Sequence, residues 1–456
     1  MCSNFLDTLT LSWILCLSCL YDSDFRSKRE PPLDKGVIPW LGHALDFGKD
    51  AAKFLTRMKL KHGDIFTVRV AGRYVTVLLD PHSYDSVLQD TTSLDFTHYA
   101  QVLMDRIFNL RLPNHKPDSE KAIMKRHFHG ESLSCLNHNM QNHLQTLLMF
   151  ETTATQNQTD WKHDGLFGFC YSLLFRAGYL TLFGGEQNNN CTDAAKVYKE
   201  YQKFDSLLIK MARTTLKNEK FTAGSVKQRL WELLAQAGQR ENSSLWLQSY
   251  RQHLEQEGAD EETQRKAMLL QLWATQKQIC ILLNVLYICN FSDSALEETL
   301  RLTAAPFITR EVLQNKTLHM ADGQEYDLRR GDRVCLFPFI SPQMDPEIHH
   351  KPEQFKYDRF LNADGTAKED FFKSGRRLKY YTMPWGAGTN ACVGKPFAVQ
   401  SIRQFVFLVL SHLNIELSDS EAQVPAVDAS RYGFGMVQPI KELPIRYKLR
   451  ERSNLQ

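Results

Sequence analysis

One stretch of this sequence gathers residues able to do chemistry: Pro384-Trp385-Gly386-Ala387-Gly388-Thr389-Asn390-Ala391-Cys392-Val393-Gly394-Lys395-Pro396. Three glycines crowd one cysteine, which lets the backbone approach a bulky planar group. Beyond Pro396 the apolar residues Ala398, Val399, Ile402, Phe405, Val406 and Val409 recur at helical spacing, so Cys392 falls in a loop just before a helix N-terminus. Amide N–H groups and the positive end of the helix dipole favour a thiolate there, and the thiolate is the form of cysteine that binds metal. A lone cysteine ligand suits a haem iron, whose in-plane ligands come from the porphyrin.

Two further segments bear on that cysteine. Glu298-Thr299-Leu300-Arg301 sets an acid and a base one helical turn apart on the same face, a pair that contributes little when exposed. Pro352-Glu353-Gln354-Phe355-Lys356-Tyr357-Asp358-Arg359-Phe360 follows before the cysteine loop. In this order and spacing the three segments resemble the cytochrome P-450 family. The loop is similar to that family's F-x-x-G-x-R-x-C-x-G, with Trp385 for the Phe and with Gly388, Cys392 and Gly394 matching. Asn390 stands where the family carries a basic residue, which removes one contact to a haem propionate. Glu298 and Arg301 resemble the family's E-x-x-R, and the segment 352–360 resembles the one that supplies the second arginine, Arg359.

The resemblance implies a mainly α (α+β) fold with small peripheral β-sheets, built around haem b with Cys392 as iron ligand and catalytic group. It places Trp385, Gly388, Gly394 and Arg310 at the cofactor, and gives Glu298, Arg301 and Arg359 a structural role. In detail the similarity is to a branch of isomerases acting on prostaglandin H2 or a similar lipid endoperoxide, and it carries Arg106, Leu112, Thr309, Arg310 and Arg333 into the substrate pocket. An arginine at position 106 or 310 can face a carboxylate or a propionate. Oxygen-activating members of the family usually carry an acid beside an alcohol on the helix over the haem, whereas Leu272-Trp273-Ala274-Thr275-Gln276 has the alcohol without the acid. An isomerase needs no external electron donor and no reductase. A monooxygenase of sterols or lipids, and a catalytically impaired membrane-tethered variant, are the competing readings.

The elements that must hold these residues are legible in outline. Ile65 to Val70 and Tyr74 to Leu79 flank Ala71-Gly72-Arg73 and predict a hairpin. From about Pro81 to Gln276 the pattern is mainly helical, with 3.6-residue periodicity in Val197 to Leu216 and Val226 to Gln236. Thr317 to Met320 and Glu325 to Leu328 bracket Asp322-Gly323 as a second hairpin, and Arg333 to Phe339 follows as a strand. The prolines of Pro31 to Pro39 forbid helix until about Phe47 and predict a hinge. Residues 30–456 are expected to form one haem-thiolate domain.

Residues 1–29 predict a membrane anchor with a basic flank: Leu9 to Leu20 is apolar, and Arg26, Lys28 and Arg29 follow. The resemblance implies an endoplasmic-reticulum membrane with the domain facing the cytosol. Cys16 and Cys19 in that apolar run are expected to be small buried residues. Residues 277–290 form an atypical junction, because Glu298 lies only 23 positions after Thr275. A helix of about 20 residues spans only ~30 Å and cannot cross a haem and also return to start another helix. An incomplete distal wall is therefore expected.

Composition narrows the rest. The 55 basic and 52 acidic residues are spread along all 456 positions, with no concentrated basic tract, so nucleic acid is not expected as a partner. The ten cysteines follow neither a zinc spacing nor a dense disulfide pattern, which fits a reducing compartment.

Overall fold

The computed structural model describes residues 26–112, 117–153, 161–185, 192–213, 217–237, 239–276 and 293–450. The chain begins with strand β1 (Leu33–Asp34), helices α1 (Ala44–Lys49) and α2 (Ala51–His62), and strands β2 (Ile65–Val70) and β3 (Arg73–Leu78). Next come α3 (Asp85–Leu88), β4 (Leu94–Asp95), α4 (Thr97–Phe108), α5 (Pro117–His127) and α6 (Gly130–Thr153). They are followed by β5 (Lys162–Gly165), α7 (Leu166–Phe183), α8 (Thr192–Arg213), α9 (Lys217–Leu233), α10 (Leu245–Gln256) and α11 (Glu261–Gln276). Helix α12 (Asp293–Thr303) leads into β6 (Ile308–Val312), β7 (Lys316–His319), β8 (Glu325–Leu328) and β9 (Arg333–Leu336). The hairpin β10 (Phe372–Lys373) and β11 (Arg376–Arg377), helix α13 (Lys395–His412), and strands β12 (Leu413–Leu417) and β13 (Pro444–Leu449) complete the order. The class is α+β, mainly helical, with small sheets at the periphery.

A six-stranded sheet in the order β1-β2-β3-β9-β6-β4 ties the beginning of the chain to its later half. Strand β3 runs parallel to β9 with Val75 opposite Arg333, while β6 runs antiparallel to β9 with Glu311 opposite the same arginine. The β2–β3 turn is made by Ala71 and Gly72, both at positive φ (47° and 75°), the geometry that matches the twist of a tight hairpin. Glycine is required there for a second reason: a Cβ on Gly72 would stand 2.4 Å from Trp40 Nε1.

Three expectations change. The proline-rich segment is not a hinge, because Leu33 and Asp34 pair in parallel with Thr67 and Val68 at the sheet edge. The basic flank is held there as well: Arg26 lies 2.7 Å from Asp332 and 3.2 Å from Glu30, with its side chain and that of Glu30 buried. Helix starts at Ala44, not Phe47, since the last proline of the segment is Pro39. Strand β9 ends at Leu336, because Pro338 lacks the N–H that ladder pairing needs, and a wide helical turn over Phe339–Gln343, kinked at Ser341, follows. Leu9 to Leu20, Cys16, Cys19 and the junction 277–290 lie outside the described residues.

Helix α7 is the axis of the helical half. It is apolar on all sides, and although long and apolar enough to cross a membrane, 83% of it is buried inside the fold. That is the pattern of a core helix. Phe175 packs on Tyr198 and Tyr201 of α8 with ring centroids 5.2 and 4.8 Å apart. The same core cluster takes in Phe397, Ile402, Phe405 and Val406 of α13, and Cys392 packs against it. The helix that follows the cysteine loop is thus fixed by the main core.

Candidate active site

Three segments meet at Glu298, whose side chain is fully buried. Arg301 donates from Nε to one carboxylate oxygen at 2.7 Å and from Nη2 to the other at 2.9 Å, a bidentate pair within α12. Arg359 donates from Nε to both oxygens at 2.8 Å, and the Lys356 amide donates to Oε1 at 3.0 Å. The remaining guanidinium protons are also used. Arg359 reaches the carbonyls of His350 and Gln354, each at 2.8 Å, and Arg301 reaches that of Gln343 at 2.7 Å. Gln343 returns bonds to the carbonyls of Arg301 and Ala304. Buried charges hold only when paired and hydrogen-bonded in this way. Gln343 escaped sequence reasoning, because a bond across 42 positions leaves no local pattern.

The cysteine loop is closed by its own backbone. The Cys392 amide donates to the Trp385 carbonyl at 2.9 Å, and the Ala391 amide to that of Gly388 at 3.2 Å. Gly386 and Gly388 stand at φ of 67° and 66°. A Cβ on Gly388 would lie 3.1 Å from the carbonyl oxygen of Leu88, so any L-residue there meets both strain and crowding. Gly394 caps α13, with Lys395 and Pro396 opening it, so Cys392 precedes the cap by two residues.

These residues fit a haem iron. Cys392 is half-buried and not disulfide-bonded. The thiols of Cys170 and Cys335 are fully enclosed, and burial pushes both pKa values up, that of Cys335 to about 12. A thiolate is therefore disfavoured at those two positions. No cluster of three or more histidine, cysteine or acidic residues forms among the described residues, so a metal at Cys392 must bring its other ligands, as porphyrin iron does. Trp385 is buried, and its Nε1–H has no acceptor, leaving a donor beside the loop that suits an anionic neighbour.

The other sequence-derived positions divide into two groups. Leu112 is buried in the main core cluster, and Thr309 is buried on β6 with its hydroxyl 3.9 Å from Cys335 Sγ. Thr275 donates its hydroxyl back to the Gln271 carbonyl at 2.8 Å. The arginines lie along the strands and the helix α4. Arg310 is buried, bonds the Thr309 carbonyl at 3.0 Å and has its guanidinium 5.3 Å from the Phe96 ring. Arg333 stands 4.9 Å from the Tyr99 ring, and Arg106, on the exposed side of α4, reaches the Ala212 carbonyl at 3.5 Å. Burial lowers the pKa of both Arg310 and Arg333. Phe96 and Tyr99 were missed in the sequence; their signal is an aromatic pair three residues apart at the start of the helix that carries Arg106.

Sequence and fold both resemble those of known proteins. The cytochrome P-450 family pattern matches residues 31–268 and 289–445. The chain is 49% identical to prostacyclin synthase of Rattus norvegicus and to that of Homo sapiens, each over 93% of this chain and 95% of the relative. It is 36% identical to the Homo sapiens 7-alpha-hydroxycholest-4-en-3-one 12-alpha-hydroxylase over 92% of the chain and 93% of that protein. Among solved structures, the retinoic acid-bound cyanobacterial CYP120A1 superposes with a TM-score of 0.68 at 17% identity, over 93% of this chain and all of the other. Family pattern, relatives and fold agree: the chain belongs to the cytochrome P-450 family, whose cofactor is a haem iron.

Proposed function

We propose that this chain is a haem-thiolate isomerase that converts prostaglandin H2 to prostacyclin without an external electron donor, with dehydration of fatty-acid hydroperoxides as a side activity. The observation that carries this is the 49% identity to prostacyclin synthases across nearly the whole chain, against 36% to a sterol hydroxylase. The cofactor is haem b, which when bound would supply Lewis-acidic iron chemistry for O–O cleavage, with the sulfur of Cys392 as the protein's ligand to it. Substrate and product are isomers: one O–O and one C–H bond give way to a C–O and an O–H bond with the number of C=C bonds unchanged, so no net electrons enter.

The residues have distinct parts in this reading. Cys392, fixed by the hydrogen bond from its amide to the Trp385 carbonyl, would hold the iron. Glu298, Arg301 and Arg359 lock α12 to the segment 343–359 and so steady the approach to the cysteine loop. Leu112 and Thr309 give the substrate apolar and small walls, while Arg106, Arg310 and Arg333 face its carboxylate or the cofactor's propionates. Thr275 spends its proton inside its own helix and has no acid beside it in sequence, which suits a reaction that needs no proton delivery to bound oxygen. We place the chain on the endoplasmic-reticulum membrane, with residues 1–29 as its anchor and the catalytic domain in the cytosol.

The test is direct. Full-length chain reconstituted with haem is given prostaglandin H2 without NADPH or reductase; formation of prostacyclin is expected. Turnover that appears only with NADPH and a reductase, on a sterol, would establish the monooxygenase reading instead. A chain that takes up no haem would be the impaired variant.

A further inference from the structure

A cleft of about 650 Å³ opens between α6, the end of α7 and the turn that leads into α10, and it shares no lining residue with the groups assigned to cofactor or substrate. That volume is typical of a small-molecule site. One wall is a face of α6, where Cys135, Asn139, Asn142 and Thr146 recur at four- and three-residue spacing with Leu136 and His143 beside them. The opposite wall is the turn 241–246, tied down by its own polar groups. Asn242 donates to the Gly185 carbonyl, and the Ser244 hydroxyl donates to that of Leu182 at 2.9 Å while accepting from the Leu247 amide at 3.3 Å. The base includes the buried Trp246, whose ring lies 5.3 Å from that of Phe128, itself 5.7 Å from Phe397 of α13. Both walls are thus fixed before a ligand arrives, which lowers the cost of binding one.

His143 supplies an unused polar group on this lining. Its Nδ1 lies 3.0 Å from the Thr181 hydroxyl oxygen, and that hydroxyl gives its own proton to the Ala177 carbonyl at 2.8 Å. Nδ1 is then the donor, which leaves Nε2 a lone pair without a partner among the described residues. Burial lowers the pKa of His143 and of His127, which lines the same cleft. Both rings are therefore neutral near pH 7, and no lysine or arginine lines the cleft, so an anion finds no counter-charge. Its one carboxylate, Glu241, is exposed, where water and salt screen what it offers a cation. An ion that entered would lose hydration without return.

An uncharged molecule fits, with a hydroxyl to donate to Nε2 and an apolar body to lie on Leu136, Leu180 and Trp246. Leu245, 66% exposed, adds apolar surface that such a body would cover. We propose that this cleft is a binding site for a neutral, hydroxyl-bearing amphipathic lipid, separate from the haem pocket, with His143 as the acceptor that selects the hydroxyl. Asn139 and Asn142 stand exposed along the same wall and admit water or a further hydroxyl. The site makes no use of the isomerase reading, because none of its residues belongs to that chemistry.

The probes are 1-decanol, its methyl ether, decanoate and decylammonium, titrated into haem-reconstituted full-length chain. Cys135, exposed on the cleft wall, gives a local readout. Its alkylation by iodoacetamide is followed by mass spectrometry of the peptide that carries it, while the Soret band reports events at the haem. The alcohol is expected to slow that alkylation saturably, at concentrations roughly three- to tenfold below those the ether needs, the worth of one hydrogen bond. Decanoate and decylammonium are expected to protect less than the alcohol. His143→Phe is expected to bring alcohol and ether to the same half-protecting concentration. Asn139→Trp, at an exposed position, fills the cleft and is expected to abolish protection by every probe with the Soret band and turnover unchanged. Alkylation indifferent to all probes overturns the proposal, as does equal potency of alcohol and ether on the wild type, or decanoate or decylammonium as potent as the alcohol. Protection that survives Asn139→Trp overturns it too. So does protection that an azole ligand of the haem iron displaces, which would trace the effect to the haem pocket.

Discussion

At the scale of single residues, the site rests on buried groups held by specific partners. Cys392→Ser removes the sulfur proposed to hold the iron, so the reduced carbon-monoxide complex is expected to lose the red-shifted Soret band that a thiolate ligand produces; an unchanged band would remove Cys392 from the iron. Glu298→Ala leaves two buried guanidiniums without their carboxylate, and urea unfolding is expected to show a loss of about 3–5 kcal/mol. His349 offers a pH test. It is buried, its Nε2 donates to the Tyr381 carbonyl at 3.0 Å and its Nδ1 has no donor. Burial lowers its pKa from 6.5 to about 4. The unfolded chain takes up the proton first, so stability is full above about pH 6.5 and falls as the pH drops toward 4, by roughly 3 kcal/mol in all. A His349→Gln chain is expected to lose less between pH 7 and pH 5 in the same urea measurement. Cys392, Glu298, Arg301 and Arg359 were legible because each sits in a short pattern with fixed spacing. Gln343 was not, because its partners lie on another element and nothing nearby in sequence distinguishes it.

At the scale of elements, the hairpins announced themselves through turn chemistry and the boundaries did not. Ala71-Gly72 and Asp322-Gly323 mark β2–β3 and β7–β8, since left-handed φ values are affordable there. Gly72→Ala is expected to destabilise the chain by about 1–2 kcal/mol from backbone strain, with more from the clash against Trp40. A chevron or equilibrium melt checks it, and Trp40→Ala in the same background should recover the second part. The edge strand β1 was unreadable in advance, because a two-residue parallel pairing has no periodicity to detect. The length of β9 was misjudged because alternation continues through Phe337 while Pro338 ends the ladder.

For the molecule as a whole, the fold class followed from the three motifs taken together, and the sheet that joins 65–78 to 308–336 did not. Order along a chain carries no record of which distant strands become neighbours. The family pattern passes over residues 269–288, which overlap the short junction after α11. Haem transfer from this chain to apomyoglobin is accordingly expected to be faster than from the Rattus norvegicus prostacyclin synthase; an equal or slower rate would show that the junction leaves retention intact. The triad at Glu298 has one more consequence. Its carboxylate is satisfied from Arg301, Lys356 and Arg359, the last 61 positions downstream. During synthesis on the ribosome α12 thus emerges well before the arginine that completes its neutralisation, and helix and loop become one cooperative unit only late in translation. A pause within that interval would hold, and a premature stop would release, a nascent chain with an acid that it cannot bury, exposed to chaperones before any cofactor is met.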